Sequence, residues 1–304
     1  PKVDLSKYKI GDYVNYTYDT AENYKIPFET WGNANFLSDG IPQTTGLKWR
    51  ILNIDEANGT VDLISENPTG TSVYFSGILG YNDGPYLMNE ICKAQYSNKS
   101  LGVNARSINL LDMEKHLTAA GIAARNAYTN SSSGKKYGET KTYTNNTKYP
   151  SLYAGQKGAG VNVAETEVET KMEKIDITKG NDPYEESKAI ATTEPTNDNR
   201  SGTGKPLTVT QTFYNISINK DNYGDAGSVL SNSTWYWVAS RSVKAGSDRA
   251  YFGLRYANTL TDGDSKFYSN GDALSSSNRL RPIVSLSSSL LTGEKTNNAW
   301  NLSK

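Results

Sequence analysis

Trp235-Tyr236-Trp237-Val238-Ala239-Ser240-Arg241 opens, and Leu280-Arg281-Pro282-Ile283-Val284-Ser285-Leu286 closes, a stretch rich in Ser, Asn, Asp and Tyr. Apolar anchors at both ends of a small, polar, aromatic-spiked middle describe a binding surface mounted on a rigid scaffold. Within it, Asp248 to Tyr256 alternate strictly. Ala250, Phe252 and Leu254 share one parity, and Arg249, Tyr251, Gly253 and Arg255 the other. A period of two with one apolar parity predicts a half-buried strand whose second parity faces outward. Asp262-Gly263-Asp264 and Asn270-Gly271-Asp272 carry turn chemistry, and Ser275 to Asn278 reads as a polar bend. Ile283, Val284 and Leu286 then form an apolar strand that closes the sheet, so the stretch reads as a meander.

Working outward, Leu47 to Asp55 and Thr60 to Glu66 form a hairpin through Ala57-Asn58-Gly59, because Asn-Gly supplies the positive backbone dihedrals of a tight turn. Trp49 and Ile51 take one parity and Leu52 and Ile54 the other, so both faces are apolar and the hairpin is expected to be central and buried. Pro85 to Tyr96 reads as a helix with Leu87, Met88, Ile91 and Cys92 on one face. A second helix is expected from Ser107 or Asn109 to Ala120, with Leu110, Met113 and Leu117 as its stripe and Gly121 as its stop. Tyr13 and Val14 sit in a strand entered through the Gly11-Asp12 turn. Residues 126 to about 205 are Asn-, Ser-, Thr-, Gly- and Lys-rich and read as an insertion, with Thr208 to Ile218 returning to strand. The organisation expected is a β-rich elaboration over residues 1–45 and a main domain over 46–304. That domain carries the insertion at about 126–205 and the candidate variable region at 235–286.

The 304 residues supply ample material for a core, and 32 basic against 32 acidic residues leave no net charge to attract a polyanion. Nucleic acid and anionic membrane are accordingly poor partners. No apolar run approaches the roughly 18 to 20 residues of a membrane span, so no membrane insertion is expected. No signal-peptide pattern is present, and a start at Pro1 rather than Met is compatible with a leader or anchor removed upstream. The single Cys excludes a disulfide within the chain and a Cys-based zinc site, and with one His no typical transition-metal site is expected. His116 on the second helix reads as structural. Acids such as Glu165, Glu167, Asp176 and Glu194 sit in no recognisable motif, and Asp262-Gly263-Asp264 reads as a turn rather than a cation site. No metal, no cofactor and no catalytic residue are expected. Tyr, Ser, Gly and Asn are the residue types favoured in antibody paratopes, where Tyr gives area at low entropic cost and the others adaptable hydrogen bonds. An ordinary solvated sheet with polar loops has the same composition.

Trp237-Val238-Ala239-Ser240-Arg241, Phe252 to Arg255, Ser269-Asn270-Gly271 and Leu280 to Leu286 resemble the C-terminal pattern of surface and phage-associated proteins from Gram-positive gut bacteria. Lys48-Trp49-Arg50-Ile51-Leu52, Ser107-Ile108 and Lys141-Thr142-Tyr143 resemble the same family. That family looks like a branch of the C-type-lectin fold found in variable proteins of diversity-generating retroelements and in formylglycine-generating-enzyme-like domains. The resemblance implies an α+β, C-type-lectin-like fold with short helices, an antiparallel sheet and long loop insertions. It also implies an extracellular place on a cell surface or phage particle and a protein or glycan ligand. In such systems adenine-directed mutagenesis of Asn-type codons yields neither Glu, Gln, Met nor Trp. Ser242 to Arg279 contain none of these, although Lys244 and Lys266 do not follow from an Asn-type codon. Formylglycine-type oxidation needs paired thiols that a lone Cys92 does not supply, and Glu194-Pro195-Thr196-Asn197-Asp198 departs from a lectin sugar loop at Thr196. The ligand-binding candidates are Lys244, Arg249, Tyr251, Gly253, Tyr256, Lys266, Asp272 and Asn278. The competing readings are a carbohydrate-active hydrolase with paired carboxylates and a structural pilin or stalk subunit.

Overall fold

The computed structural model describes residues 3–19, 46–70, 72–143, 207–210, 220–247, 250–259, 262–268 and 275–303. In chain order they form β1 (Tyr13–Val14), β2 (Trp49–Asp55), β3 (Thr60–Ser65), β4 (Ser72–Ser76), α1 (Gly77–Tyr96), β5 (Ala105–Ser107), α2 (Leu110–Glu114), α3 (Ala119–Ala127), β6 (Thr140–Tyr143) and β7 (Leu207–Thr210). There follow α4 (Lys220–Tyr223), a 3₁₀ turn (Gly224–Ala226), α5 (Gly227–Leu230), β8 (Tyr236–Ala245), β9 (Ala250–Ala257), β10 (Asp262–Tyr268), β11 (Ser275–Arg279), β12 (Pro282–Ser287), β13 (Leu291–Thr296) and β14 (Ala299–Leu302). The protein is α+β, sheet-rich with few and mostly short helices. No helix among the described residues is long and apolar enough to cross a membrane.

The first sheet runs β13-β14-β1-β2-β3-β12-β5 and the second β10-β9-β8-β11-β4, with β6 paired to β7. The expected hairpin is its middle: β2 and β3 pair antiparallel from Trp49↔Ser65 to Asp55↔Thr60, and Gly59 turns at φ +63°. A register shift between Ile51 and Asn53 moves Ile54 off the parity of Leu52. Ile54 therefore packs with Trp49, Ile51, Val61 and Leu63, while Leu52 and Ile64 face the opposite core. Both faces of the sheet are covered, as the two apolar parities require. The first 45 residues contribute β1, which lies between β14 and β2, and with it Leu5, Tyr8, Val14 and Tyr16 to the core.

Helix α1 fills the space between the sheets. Met88, Ile91, Cys92 and Tyr96 are fully buried with Trp49 and Leu63 of one sheet and Phe75, Trp237 and Leu254 of the other. Cys92 is a small core hydrophobe, its thiol pKa pushed up by burial. The helix begins at Gly77 rather than Pro85, and Pro85 lies inside it. Gly84 also lies inside the helix, where it permits close packing. A Cβ at Gly84 would collide with the Leu254 side chain.

The expected second helix is two. Asn109 caps α2, its side chain accepting from the Asp112 amide (3.0 Å) while Asp112 accepts from the Asn109 amide (2.8 Å). Thr118 then starts α3 afresh by accepting from the Gly121 amide (3.1 Å). Gly121 does not stop a helix. It sits buried inside α3, where a Cβ would strike the Asn222 carbonyl.

Two expected bends are strands. Asp262-Gly263-Asp264 begins β10, paired with Ala257, Tyr256 and Arg255, and Ser275 to Asn278 lie in β11, paired with Ser76 to Val73 of β4. Their polar side chains carry no apolar alternation, because the backbone ladder alone places them. The stretch from β8 to β10 is a meander. β11 crosses to the other side of β8, and β12 joins the first sheet between β3 and β5. Beyond Leu286, β13 and β14 turn at Asn297 and Asn298, both at positive φ.

Candidate binding surface

The two apolar anchors are braced from within. Trp237 donates its indole N–H to the Val73 carbonyl at 2.8 Å and meets Phe75 edge-on with centroids 5.3 Å apart. Arg281, although charged, is 1% exposed. Its guanidinium donates to the carbonyls of Ser65 (3.1 Å), Leu230 (2.7 Å), Glu66 (3.0 Å) and Val229 (2.5 Å). These carbonyls come from the end of β3 and the last turn of α5, where outward carbonyls carry partial negative charge. Burial lowers the Arg281 pKa, opposed by the Tyr236 hydroxyl.

In β8 a bulge between Val238 and Arg241 frees two residues from the β9 ladder. The Ala239 amide donates instead to the Ile108 carbonyl (2.7 Å), and the Ser240 hydroxyl accepts from the Leu110 amide (2.9 Å). The bulge thus docks the start of α2 on β8. From the middle region, Lys141 donates to the carbonyls of Gly246 (2.9 Å) and Ser247 (2.6 Å) at the end of β8.

These contacts correct the expected outward parity of β9. Gly253 and Arg255 are buried, Arg255 completely, because that face of the strand is covered. Tyr137, preceding β6, lies close enough to Arg255 for the guanidinium to lower its pKa, against the larger upward effect of burial. Leu254 is buried on the α1 side, so both faces of β9 are enclosed here. Tyr256 shares the Leu254 side, is half-buried and packs against the same core.

The eight candidates do not form one face. Lys244 pairs with Tyr251 at the turn end of β8–β9, and Lys266 of β10 lies opposite Gly253. Five residues separate Tyr251 from Tyr256, roughly 16 Å along an extended strand. Arg249 and Asp272 lie outside the described residues, as do Glu165, Glu167, Asp176 and the Glu194 to Asp198 loop.

Tyr256 and Asn278 lie on β9 and β11, the two strands that flank the start of β8. Asn278 is half-buried on β11, and the next amide, that of Arg279, donates to the Trp235 carbonyl at 3.3 Å. Trp235 lies beside them, although the sequence alone places it with its apolar anchor neighbours. Tyr236 and Trp237 are fully buried, whereas Trp235 is 36% exposed. It meets the Tyr256 ring edge-on at 4.8 Å, and Tyr256 meets Trp237 at 6.4 Å. An aromatic chain therefore runs from Phe75 in the core to Trp235 at the surface. Its position just before the first buried strand residue was the available signal. Beside it, Asn232 donates to Asn67 (3.1 Å) and accepts from the Thr234 amide (3.0 Å), which fixes the loop that presents Trp235.

Among the described residues no group of three or more His, Cys, Asp and Glu side chains could hold a metal ion. The carboxylates that do converge, Asp62 and Asp112, share Lys115 at 3.2 and 3.8 Å. Asp112 is also gripped by Arg106 at 2.6 and 2.7 Å, so both acids are neutralised by neighbours rather than facing each other across a cleft. No family model matches this chain, no curated protein matches it, and no solved structure matches it.

Proposed function

We propose that this chain is a ligand-recognition protein of C-type-lectin-like architecture, exposed on a cell surface or phage particle, in which Trp235 and Tyr256 anchor a protein or glycan ligand. One observation carries the reading: Trp235 is exposed, yet held edge-on against Tyr256, which itself leans on the buried Trp237. A large aromatic ring left in water but immobilised from behind binds at little entropic cost, and such rings dominate interface energetics. Asn278 and the Asn232 loop supply polar neighbours at its rim. Outside the enclosed Gly253 to Arg255 segment, the strands that follow supply positions whose side chains can differ while the backbone ladders stay in place. Diversification of residues 242 to 279 fits this division, with the anchors fixed and the strands between them variable.

The test is a glycan array followed by equilibrium titration of the intact chain with whichever glycan it retains, and a display library of extracellular proteins screened in parallel. Trp235→Ala and Tyr256→Ala are expected to weaken the retained ligand by at least tenfold, matching the ~1.4 kcal/mol or more of an aromatic anchor. Full binding by a folded Trp235→Ala variant rules the reading out.

A further inference from the structure

A second site lies away from the aromatic pair, between the segment before β1, strand β2, the residue pair after α2 and the 3₁₀ turn before α5. It is a cleft of about 610 Å³ whose walls include Lys9, Asn53, His116 and Asp225, with Ile10 and Ile54 as apolar surface. That volume lies in the range of small-molecule sites.

What distinguishes it is the pair of opposite charges on its walls; of its other polar groups, Asn53 donates to Asp62 and the Ser228 hydroxyl to the Asp225 carbonyl. Lys9 and Asp225 carry opposite charges on one cleft, and neither side chain has an ion-pair or hydrogen-bond partner among the described residues. Asn53 donates its amide N–H to Asp62 at 3.2 Å, leaving its carbonyl oxygen as an acceptor. His116 has an enclosed Nε2 with no hydrogen-bond partner, a condition few buried polar atoms show in folded proteins. Elsewhere on the sheet Asp62 pairs with Lys115 and Asp112 with Arg106.

We infer that this cleft binds a small zwitterion of amino-acid or dipeptide size, its carboxylate towards Lys9 and its ammonium towards Asp225 and the Asn53 carbonyl. A ligand with both charges satisfies both ends at once, whereas an ion of one sign leaves the opposite wall charge unmet. A neutral polyol engages neither charge. Both charged groups are solvent-exposed, so each contributes modestly and the pairing of the two sets the selectivity. None of these residues belongs to the aromatic surface, and this site stands or falls independently of it.

Titration of the intact chain with glycine, L-alanine and glycylglycine, set against acetate, methylammonium and glucose, tests the inference by calorimetry with amide chemical-shift mapping. The zwitterions are expected to saturate, shifting the amides of Lys9, Asn53 and Asp225. The one-charge probes are expected to bind about fivefold or more weakly. Lys9→Gln should weaken the zwitterion while leaving methylammonium unaffected, and Asp225→Asn should weaken it while leaving acetate unaffected. Both residues are exposed, so both variants should fold. Zwitterions binding no better than acetate or methylammonium, glucose binding as well as glycine, shifts that map elsewhere, or no saturation by any probe would each overturn it.

Discussion

The guanidinium carbon of Arg281 lies 4.9 Å from the centre of the Tyr236 ring, and both side chains donate to one carbonyl, that of Leu230, each at 2.7 Å. The two anchors of the polar stretch are therefore locked to each other through a third element, the end of α5. With no carboxylate among its hydrogen-bond partners, Arg281 serves as a fork that satisfies backbone carbonyls which β3 and α5 leave open.

Arg281→Met, which keeps volume but removes every donor, is expected to cost about 3 kcal/mol, since buried carbonyls lose their partners. Arg281→Lys restores the charge without the planar fork and should recover only part of this. Tyr236→Phe should cost about 1 kcal/mol, because Arg281 still serves the Leu230 carbonyl. Urea unfolding of the three variants checks the order, and an Arg281→Met variant as stable as the parent would show that the fork is dispensable.

Gly121→Ala and Gly84→Ala reverse the usual effect of replacing a helical glycine, which is a gain of roughly 0.5–1 kcal/mol. At Gly121 the new methyl meets the Asn222 backbone carbonyl, with Leu117 Cδ2 also at 3.0 Å, so α3 must move away from α4. At Gly84 it meets the end of the Leu254 side chain, which is buried but can change rotamer. Both variants should lose stability, by about 1–3 kcal/mol, with Gly121→Ala the worse. Thermal unfolding measures both, and a Gly121→Ala variant that gains stability would contradict the close approach of α3 and α4.

What was legible in the sequence was whatever local pattern dictates. The Asn58-Gly59 hairpin, the Leu254-to-core parity, the buried face of Met88, Ile91 and Cys92, and the strand at Ile283 to Leu286 all follow from period and turn chemistry. What escaped depends on partners distant in the chain. Ser275 to Asn278 becomes a strand because β4 lies alongside, two hundred residues earlier. Gly84 and Gly121 are tolerated in helices because another backbone or side chain approaches them. Arg255 looks outward by alternation but is buried, because a charge on a strand does not reveal what packs over it. Tyr256, expected on the outward face, shares the Leu254 side and packs against the core, and the exposure of Trp235 at the first position of an aromatic run depends on where the strand begins.

Trp235→Ala and Trp237→Ala separate surface from scaffold within three residues. Trp237 is fully buried, bonded to Val73 and packed on Phe75, so its truncation should cost about 3–5 kcal/mol. Trp235 retains a third of its surface in water, and its truncation should change stability by about 1 kcal/mol or less while removing ligand binding. Chemical denaturation and titration on the same two proteins distinguish the roles, and equal destabilisation by both would place Trp235 in the core.

His116 makes a further prediction because it is the only histidine. Burial lowers its pKa below the ordinary 6.5, and the neighbouring Lys115 adds to this, against partial opposition from Asp112 and Asp62. The unfolded chain therefore takes up the proton before the folded one as pH falls. Stability is complete above the ordinary histidine value and is lost progressively as pH drops from about 6.5 through the lower folded value. Carboxylates titrate mostly below that window, so a rise of the urea midpoint between pH about 5 and about 7 should belong to this one side chain. His116→Gln should flatten the rise while leaving the acid-side loss, to which Asp62 contributes: burial raises its pKa, but Ser285, Lys115 and Asn53 hold it below the ordinary carboxylate range. If the slope between pH about 5 and about 7 survives in His116→Gln, the imidazole is not held neutral by its surroundings and another group governs the transition.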